Sequence, residues 1–281
     1  MNILQNRIAL HTWTIDTTPL ADALRVANEA GYNAVELRHV DFLRGRKAGL
    51  SEEAMVKQVR DARIKVAVIG TESGVIFETG DELKRKLDSL RYVCEKCMAL
   101  DCGVIMVAPG QHAEGGMNLA IRNFKTCAEI CGEHGVKIAV EFNSRHPLIR
   151  TLENGMELVD AVNMKNAGLL LDTYHLHCSG GNGASFRNVP VEKIFTFQFS
   201  DAPPGPPSDS RQPVDRLPPG KGAAPFVEIF KTLMALNYQG YMSYEAPNPA
   251  QWNRPAGEVA REGVELVRAL LARAEQASDA A

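Results

Sequence analysis

The chain has 281 residues, 45% hydrophobic and 23% charged, with a formal net charge of −3. That composition is too apolar for a disordered chain, and the charge balance gives no footing for nucleic acid or an anionic membrane as a partner. No apolar run is long enough to span a bilayer, and residues 1–16 lack a basic stretch leading into an apolar core, so the expected location is cytoplasmic.

Short apolar runs alternate with longer amphipathic ones along nearly the whole chain. Strands are predicted at residues 7–12, 33–37, 65–69, 103–107, 136–141, 168–172, 193–198 and 240–245. Helical patterns separate most of them. Pro19 and Gly31 bracket the first, with Leu20, Leu24 and Ala27 on one face. The last, from about Pro255, carries Val259, Leu266, Val267, Leu270 and Leu271 at helical spacing. Only residues 179–190, after the sixth strand, give a weak helical signal, and residues 274–281 read as a frayed tail. Eight strands with crossovers and no domain break predict an α/β fold, a (β/α)₈ TIM barrel forming a single domain over residues 1–281. An open doubly wound sheet is the alternative, but it normally has a glycine-rich turn after its first strand. Here that turn reads Trp13-Thr-Ile-Asp-Thr-Thr, without glycine.

Six cysteines need a separate reading. Cys94-x-x-Cys97 and Cys127-x-x-x-Cys131 have the spacing to supply four thiolates to zinc. Both pairs lie within long amphipathic helical stretches, however, whereas structural zinc cysteines usually sit on turns. They are therefore read as small hydrophobes packed between elements.

Strand parity carries the chemistry. Side chains alternate faces with period two. In the fifth strand Glu141 shares a face with Ala139 and Lys137. In the seventh, Gln198 and Thr196 oppose Phe195, Phe197 and Phe199, which suit the layer between barrel and helices. In the eighth, Glu245, Ser243 and Tyr241 oppose Met242 and Tyr244. The last four strands thus end in Glu141, Asp172, Gln198 and Glu245, all inward at the face where barrel active sites lie. Three carboxylates converging without a cation would repel one another and raise each other's pKa. A divalent ion relieves that conflict.

At these residues the chain resembles the xylose isomerase-like barrels, a superfamily of sugar phosphate isomerases, epimerases and endonuclease-IV-like proteins. The resemblance spans essentially the whole chain. It rests on Gly31-Tyr-Asn-Ala-Val-Glu36-Leu, Val140-Glu141-Phe-Asn143, Leu171-Asp172-Thr-Tyr-His175, Phe197-Gln198-Phe-Ser-Asp201, Arg216-Leu-Pro-Pro-Gly220-Lys-Gly222 and Gly240-Tyr-Met-Ser-Tyr-Glu245. It implies that Glu141 and Glu245 bind metal and exchange the substrate proton, that Asp172 is a third ligand, and that His175 and Arg216 contact substrate. Epimerases of this type usually place a histidine where this chain has Gln198. Its carboxamide oxygen would complete an all-oxygen shell suited to one Mn²⁺ or Mg²⁺. Members that β-eliminate, such as 3-dehydroshikimate dehydratases, also resemble this chain in carrying glutamine there. Endonuclease IV uses many histidines for three zinc ions, which this chain lacks, so DNA repair is not expected.

The expected activity is a metal-dependent isomerase or epimerase acting on a small keto-sugar or keto-polyol through an enediolate. Its alternatives are a dehydratase of a keto-cyclitol, with His175 as the acid, and a barrel that only binds. Asn143, Glu36 and His11 join Arg216 as candidate substrate-binding residues. Structural alternatives stand beside two of them: a packed or hydrogen-bonded histidine for His11, and pairing with Arg38 or Lys137 for Glu36. His112, Arg145 and His146 read equally well as loop residues. The Pro- and Gly-rich stretch 202–222 suits a lid or substrate loop, or a contact between copies in a homo-oligomer.

Overall fold

A computed structural model describes residues 3–205 and 214–279. Eight parallel strands close into a barrel in chain order: β1 (Ile8–His11), β2 (Ala34–Arg38), β3 (Lys65–Gly70), β4 (Val104–Val107), β5 (Lys137–Glu141), β6 (Ala167–Asp172), β7 (Ile194–Phe199) and β8 (Met242–Tyr244). The chain is a single-domain (β/α)₈ TIM barrel, and each predicted strand lies within three residues of an observed one at either end. The main crossover helices are α1 (Leu20–Ala30), α2 (His39–Lys47), α3 (Glu52–Asp61), α4 (Gly80–Ala99), α5 (Gly116–Glu133) and α6 (Leu152–Val162). After β6 come two short helices, α7 (Thr173–Cys178) and α8 (Gly183–Phe186), which accounts for the weak signal there. The circuit closes with α9 (Phe226–Ala235), α10 (Pro249–Trp252) and α11 (Ala256–Asp279). No helix among the described residues is long and apolar enough to cross a membrane.

Local chemistry fixes the ends. Helix α1 stops because Gly31 takes φ 86°, a left-handed conformation that costs glycine nothing, and its N–H returns to carbonyls of the last turn. Thr151 caps α6 by accepting the Asn154 N–H while the Asn154 side chain answers back. The tail expected to fray from residue 274 is instead helical through Asp279. Ala274 is fully buried, because the apolar stripe of α11 continues to pack through that turn.

Two apolar layers result. Val, Ile, Leu and Phe side chains pointing out from the strands meet the helices in the larger one, where Cys94, Cys97, Cys102, Cys127 and Cys131 are all buried. Inside the barrel the residues are smaller: Ala9, Ala34, Ala67, Val68, Met106, Ala139 and Leu170 pack together. The taper of a closed barrel leaves room for little more.

Parity fails at one predicted position. The β6–β7 register slips between Leu169 and Leu170, so Leu169 faces Ile194 but Leu170 faces Thr196. Phe195 is the extra residue of this bulge, and it packs on the interior cluster rather than in the helix layer. Gly168 makes the space: a Cβ there would come within 2.7 Å of the Phe195 ring. Beyond the bulge the alternation resumes, so Thr196 and Gln198 share the inward face as expected.

Candidate active site

One step above the small interior layer, each strand presents its next inward residue at the C-terminal mouth. From β1, β2, β5, β6 and β7 these are His11, Glu36, Glu141, Asp172 and Gln198, and Glu245 follows β8 directly. Glu245 extends the ladder by donating its N–H to Phe199 O at 3.1 Å. All six are buried, at 5% exposure or less.

Arg216 ties the cluster together from the loop before α9. Its Nη1 donates to Asp172 Oδ2 at 2.6 Å and to Glu245 Oε2 at 2.8 Å, and its Nη2 lies 3.2 Å from His175 Nε2. The guanidinium also stacks over the Tyr174 ring at 4.7 Å. A buried arginine holding two carboxylates offsets part of the cost of burying them. Its reach depends on Asp201, whose motif the sequence displays without revealing its role. The Asp201 carboxylate accepts the N–H groups of Ala202, Gly222 and Ala224, and its backbone bridges Leu217 antiparallel. Gly222 is required in this clamp, since a Cβ there would lie 2.1 Å from Ala202 O. Asn248 Nδ2 completes it by donating to Arg216 O at 3.0 Å. The part of the 202–222 loop that contains residues 206–213 lies outside the described residues.

Three potential metal donors converge. Oxygen atoms of Glu141 and Asp172 and a ring nitrogen of His175 lie within 4.8 Å of one another. Asp172 caps α7 by accepting the His175 N–H at 3.1 Å, which fixes the carboxylate beside that helix. Burial pushes its pKa up, but Arg216 and His175 outweigh it and leave Asp172 below the usual carboxylate range. Glu141 goes the other way, well above that range, through burial and then the charges of Glu245 and Asp172. Burial also raises Glu245, to about 7 against the pull of Arg216, and Glu36, to about 8.

The histidines are held neutral. Burial lowers His175 to about 3. Arg216 Nη2 donates toward its Nε2 at 3.2 Å, which leaves the single ring proton on Nδ1, facing the Ser144 hydroxyl at 3.0 Å; a second proton on Nε2 would point at the guanidinium. His11 Nδ1 accepts the Trp13 N–H at 3.0 Å, leaving the proton on Nε2, which points between Glu245 Oε1 at 3.4 Å and Glu36 Oε1 at 3.6 Å. Burial, with Arg38 and Arg216, keeps its pKa well below the ordinary value.

The alternative partners for Glu36 are absent from its surroundings. Arg38 is engaged with Asp16 and Asp41, and Lys137 lies over the Phe195 ring. Glu36 Oε1 instead accepts from Gln198 Nε2 at 2.8 Å, and Gln198 Oε1 is buried without a hydrogen-bond partner among the described residues. Asn143 Oδ1 accepts the Arg145 N–H at 3.0 Å and holds the turn after β5. His146 is also a loop staple, its Nδ1 accepting the N–H groups of Leu148 and Ile149, while His112 is exposed. Ser144 and Asp201 are the site residues sequence reasoning missed, because their roles come from loop geometry rather than strand parity.

The donor set fits a divalent cation on the structure's own terms. Two carboxylates and a neutral imidazole converge, and a buried amide oxygen on the adjoining strand lacks a partner among the described residues.

Comparison with known proteins agrees with this architecture. The family model of the xylose isomerase-like TIM barrel matches residues 24–270. An inosose isomerase of Bacillus velezensis is 25% identical, the match covering 92% of this chain and 95% of that protein. A 3-dehydroshikimate dehydratase of Pseudomonas putida is 26% identical over 87% of this chain but 39% of its own length. The crystal structure of the IolI protein with a bound zinc atom superposes with a TM-score of 0.84 at 23% identity, covering 95% of this chain and 98% of that one. A match of the family model over most of its length, on a barrel of the same topology, makes this chain a member of the xylose isomerase-like TIM barrels.

Proposed function

We propose that the protein is a divalent-metal-dependent isomerase or epimerase of a small keto-sugar or keto-cyclitol. The observation that carries this reading is the convergence of Glu141, Asp172 and His175 beside Glu245 in one buried mouth. Glu141, Asp172 and Glu245 would hold the cation with Gln198, and His175 is a further donor at the same point. Bound there, a divalent ion polarises a substrate carbonyl and stabilises the negative charge left when the adjacent proton departs.

The chain's own residues do the rest. Glu245 turns one carboxylate oxygen to Arg216 and the other toward His11, and it is the first proton-transfer group. Glu141 is the second proton-transfer group. A proton taken by one and delivered by the other on the opposite face inverts a centre; a proton delivered to the neighbouring carbon moves the carbonyl. Arg216, with five fixed donors, orients substrate oxygens and keeps Asp172 ionised. His175 remains neutral and serves as a hydrogen-bonding group. The inosose isomerase relatives favour a keto-cyclitol among the candidate substrates.

Dehydration is the second reading, favoured by Gln198 and by the dehydratase relative. Both readings begin with loss of the α-proton. The deciding experiment is deuterium wash-in from heavy water over a panel of keto-sugars and keto-cyclitols, with product analysis, before and after chelation. Exchange that vanishes on chelation and returns with Mn²⁺ or Mg²⁺ supports the reading, and water-eliminated products select dehydration. Undiminished exchange in metal-free protein, or no exchange with any substrate, would sink it.

A further inference from the structure

Glu36 and Gln198 meet inside the mouth from β2 and β7, strands that are not neighbours in the barrel. Both side chains are fully buried, and Gln198 Nε2 donates to Glu36 Oε1 at 2.8 Å. A carboxamide has two ends of similar shape and opposite chemistry, so one committed hydrogen bond decides what the other end offers. With its nitrogen turned to Glu36, Gln198 offers oxygen. That oxygen is buried and, among the described residues, without a hydrogen-bond partner, a costly condition unless something ligates it. Gln198 is paired in register with Asp172, and the two share the inward face at the same level of the barrel.

Glu36 has no ion pair with Arg38 or Lys137, and its other polar neighbours are the Nε2–H of His11 at 3.6 Å and the Ser243 hydroxyl. A carboxylate serving only as a structural anchor would be expected to hold a cation or a backbone N–H. Here its closest hydrogen bond is spent on the orientation of one amide.

We propose that Glu36 is a positioning residue for Gln198: it holds the carboxamide in the orientation that directs Oε1 to the cation held by Glu141 and Asp172. This rests on the metal-dependent reading above. The logic is that of a carboxylate orienting a metal-bound histidine by accepting its second N–H, transferred to an amide. If the amide turned over, the NH₂ group would face the cation, and it has no lone pair to give.

The test is a double-mutant cycle read by Mn²⁺ titration calorimetry, with circular dichroism to confirm folding. Glu36→Leu removes the acceptor and is expected to weaken Mn²⁺ binding about 10–100-fold, the usual scale for an outer partner of a ligand. Glu36→Gln keeps an acceptor oxygen without the charge and is expected to retain most of the wild-type affinity. In a Gln198→Leu background, Glu36→Leu is expected to add no further loss. Glu36→Ala repeats the cycle should the leucine variant fail to fold. Equal losses in Glu36→Gln and Glu36→Leu would overturn the proposal, because charge rather than orientation would then be at work. So would an undiminished Glu36→Leu effect without Gln198, or normal affinity in Gln198→Leu. Those results leave the metal-dependent reading intact; wild-type protein that takes up no Mn²⁺ overturns both.

Discussion

Two buried clusters in this barrel are made of side chains able to bind metal, and they are opposite in character. Between α4, α5 and β4, five cysteines pack among aliphatic neighbours, and Cys94 Sγ lies 3.9 Å from Cys131 Sγ. At the mouth, Glu141, Asp172 and Glu245 crowd around Arg216. A thiol can enter the core protonated and behave as a small hydrophobe; burial, with neighbouring Cys94, pushes Cys127 up to about 12. Carboxylates have no such escape together. Asp172 stays ionised beside Arg216 while Glu141 and Glu245 are driven upward. Shared burial therefore says little about function. What distinguishes the mouth is charge that the fold alone leaves incompletely compensated.

The largest expected effect comes from deepening that imbalance. Arg216→Met keeps much of the side-chain volume but strips the shared cation from Asp172 and Glu245. Breaking a buried ion pair from one side usually costs about 3–5 kcal/mol. Urea denaturation in the presence of chelator is expected to register a loss on that scale, and added Mn²⁺ to restore part of it. A loss below about 1 kcal/mol, the range of an exposed pair, would mean that the mouth is far better solvated than its burial indicates.

Next come the proton-transfer groups. Glu141→Gln and Glu245→Gln are each expected to slow turnover by at least about 10²-fold, the scale for losing a general acid or base. Metal content is measured alongside, since both are also candidate ligands. Normal α-proton exchange in either variant removes that residue from the proton-transfer role.

The contrast between the clusters also marks how far the sequence could be read. Short apolar runs separated by amphipathic stretches made all eight strands visible, because barrel strands are buried on both faces. The converging strand ends were visible because period-two alternation holds at the ends of β5 and β6 and resumes in β7 beyond the bulge. The Phe195 bulge was not visible, since an extra residue depends on the register against β6, where Gly168 leaves space for the ring. Loop chemistry was equally hidden. Asp201 gains its role from N–H groups up to 23 residues away, and the Ser144 contact to His175 links separate β/α loops. The cysteines were legible by position, on one face of α4 and α5, as packing residues.

A smaller change should reorder metal preference. Gln198→His leaves the charge unchanged but replaces an oxygen donor with a nitrogen donor. If Gln198 is a ligand, the order of affinity moves from Mn²⁺ and Mg²⁺ toward Co²⁺ and Zn²⁺, which accept nitrogen readily. Titrating wild type and variant with all four ions settles the matter. An unchanged order means that Gln198 serves substrate or packing instead.

The smallest effect is expected in the cysteine cluster, where it bears directly on the contrast with the mouth. Cys131 is fully buried on α5, and Cys131→Ala removes one polarisable atom from a packed interface. By comparison with other single-group deletions in cores, about 1 kcal/mol of stability should be lost. Cys131→Ser keeps the shape but puts a stronger polar group in the same place, and is expected to cost somewhat more unless its hydroxyl reaches a carbonyl one turn back. Neither change should alter Mn²⁺ affinity or turnover, because the cluster lies in the helix layer, apart from the interior mouth. Elemental analysis supplies the harder test. If the thiols were ligands, both variants would shed the same bound metal, whatever their stability. Loss of zinc from both, with the carboxylate site still able to take Mn²⁺, would make the helix layer a second metal centre and undo the distinction between neutral and charged burial on which the comparison rests.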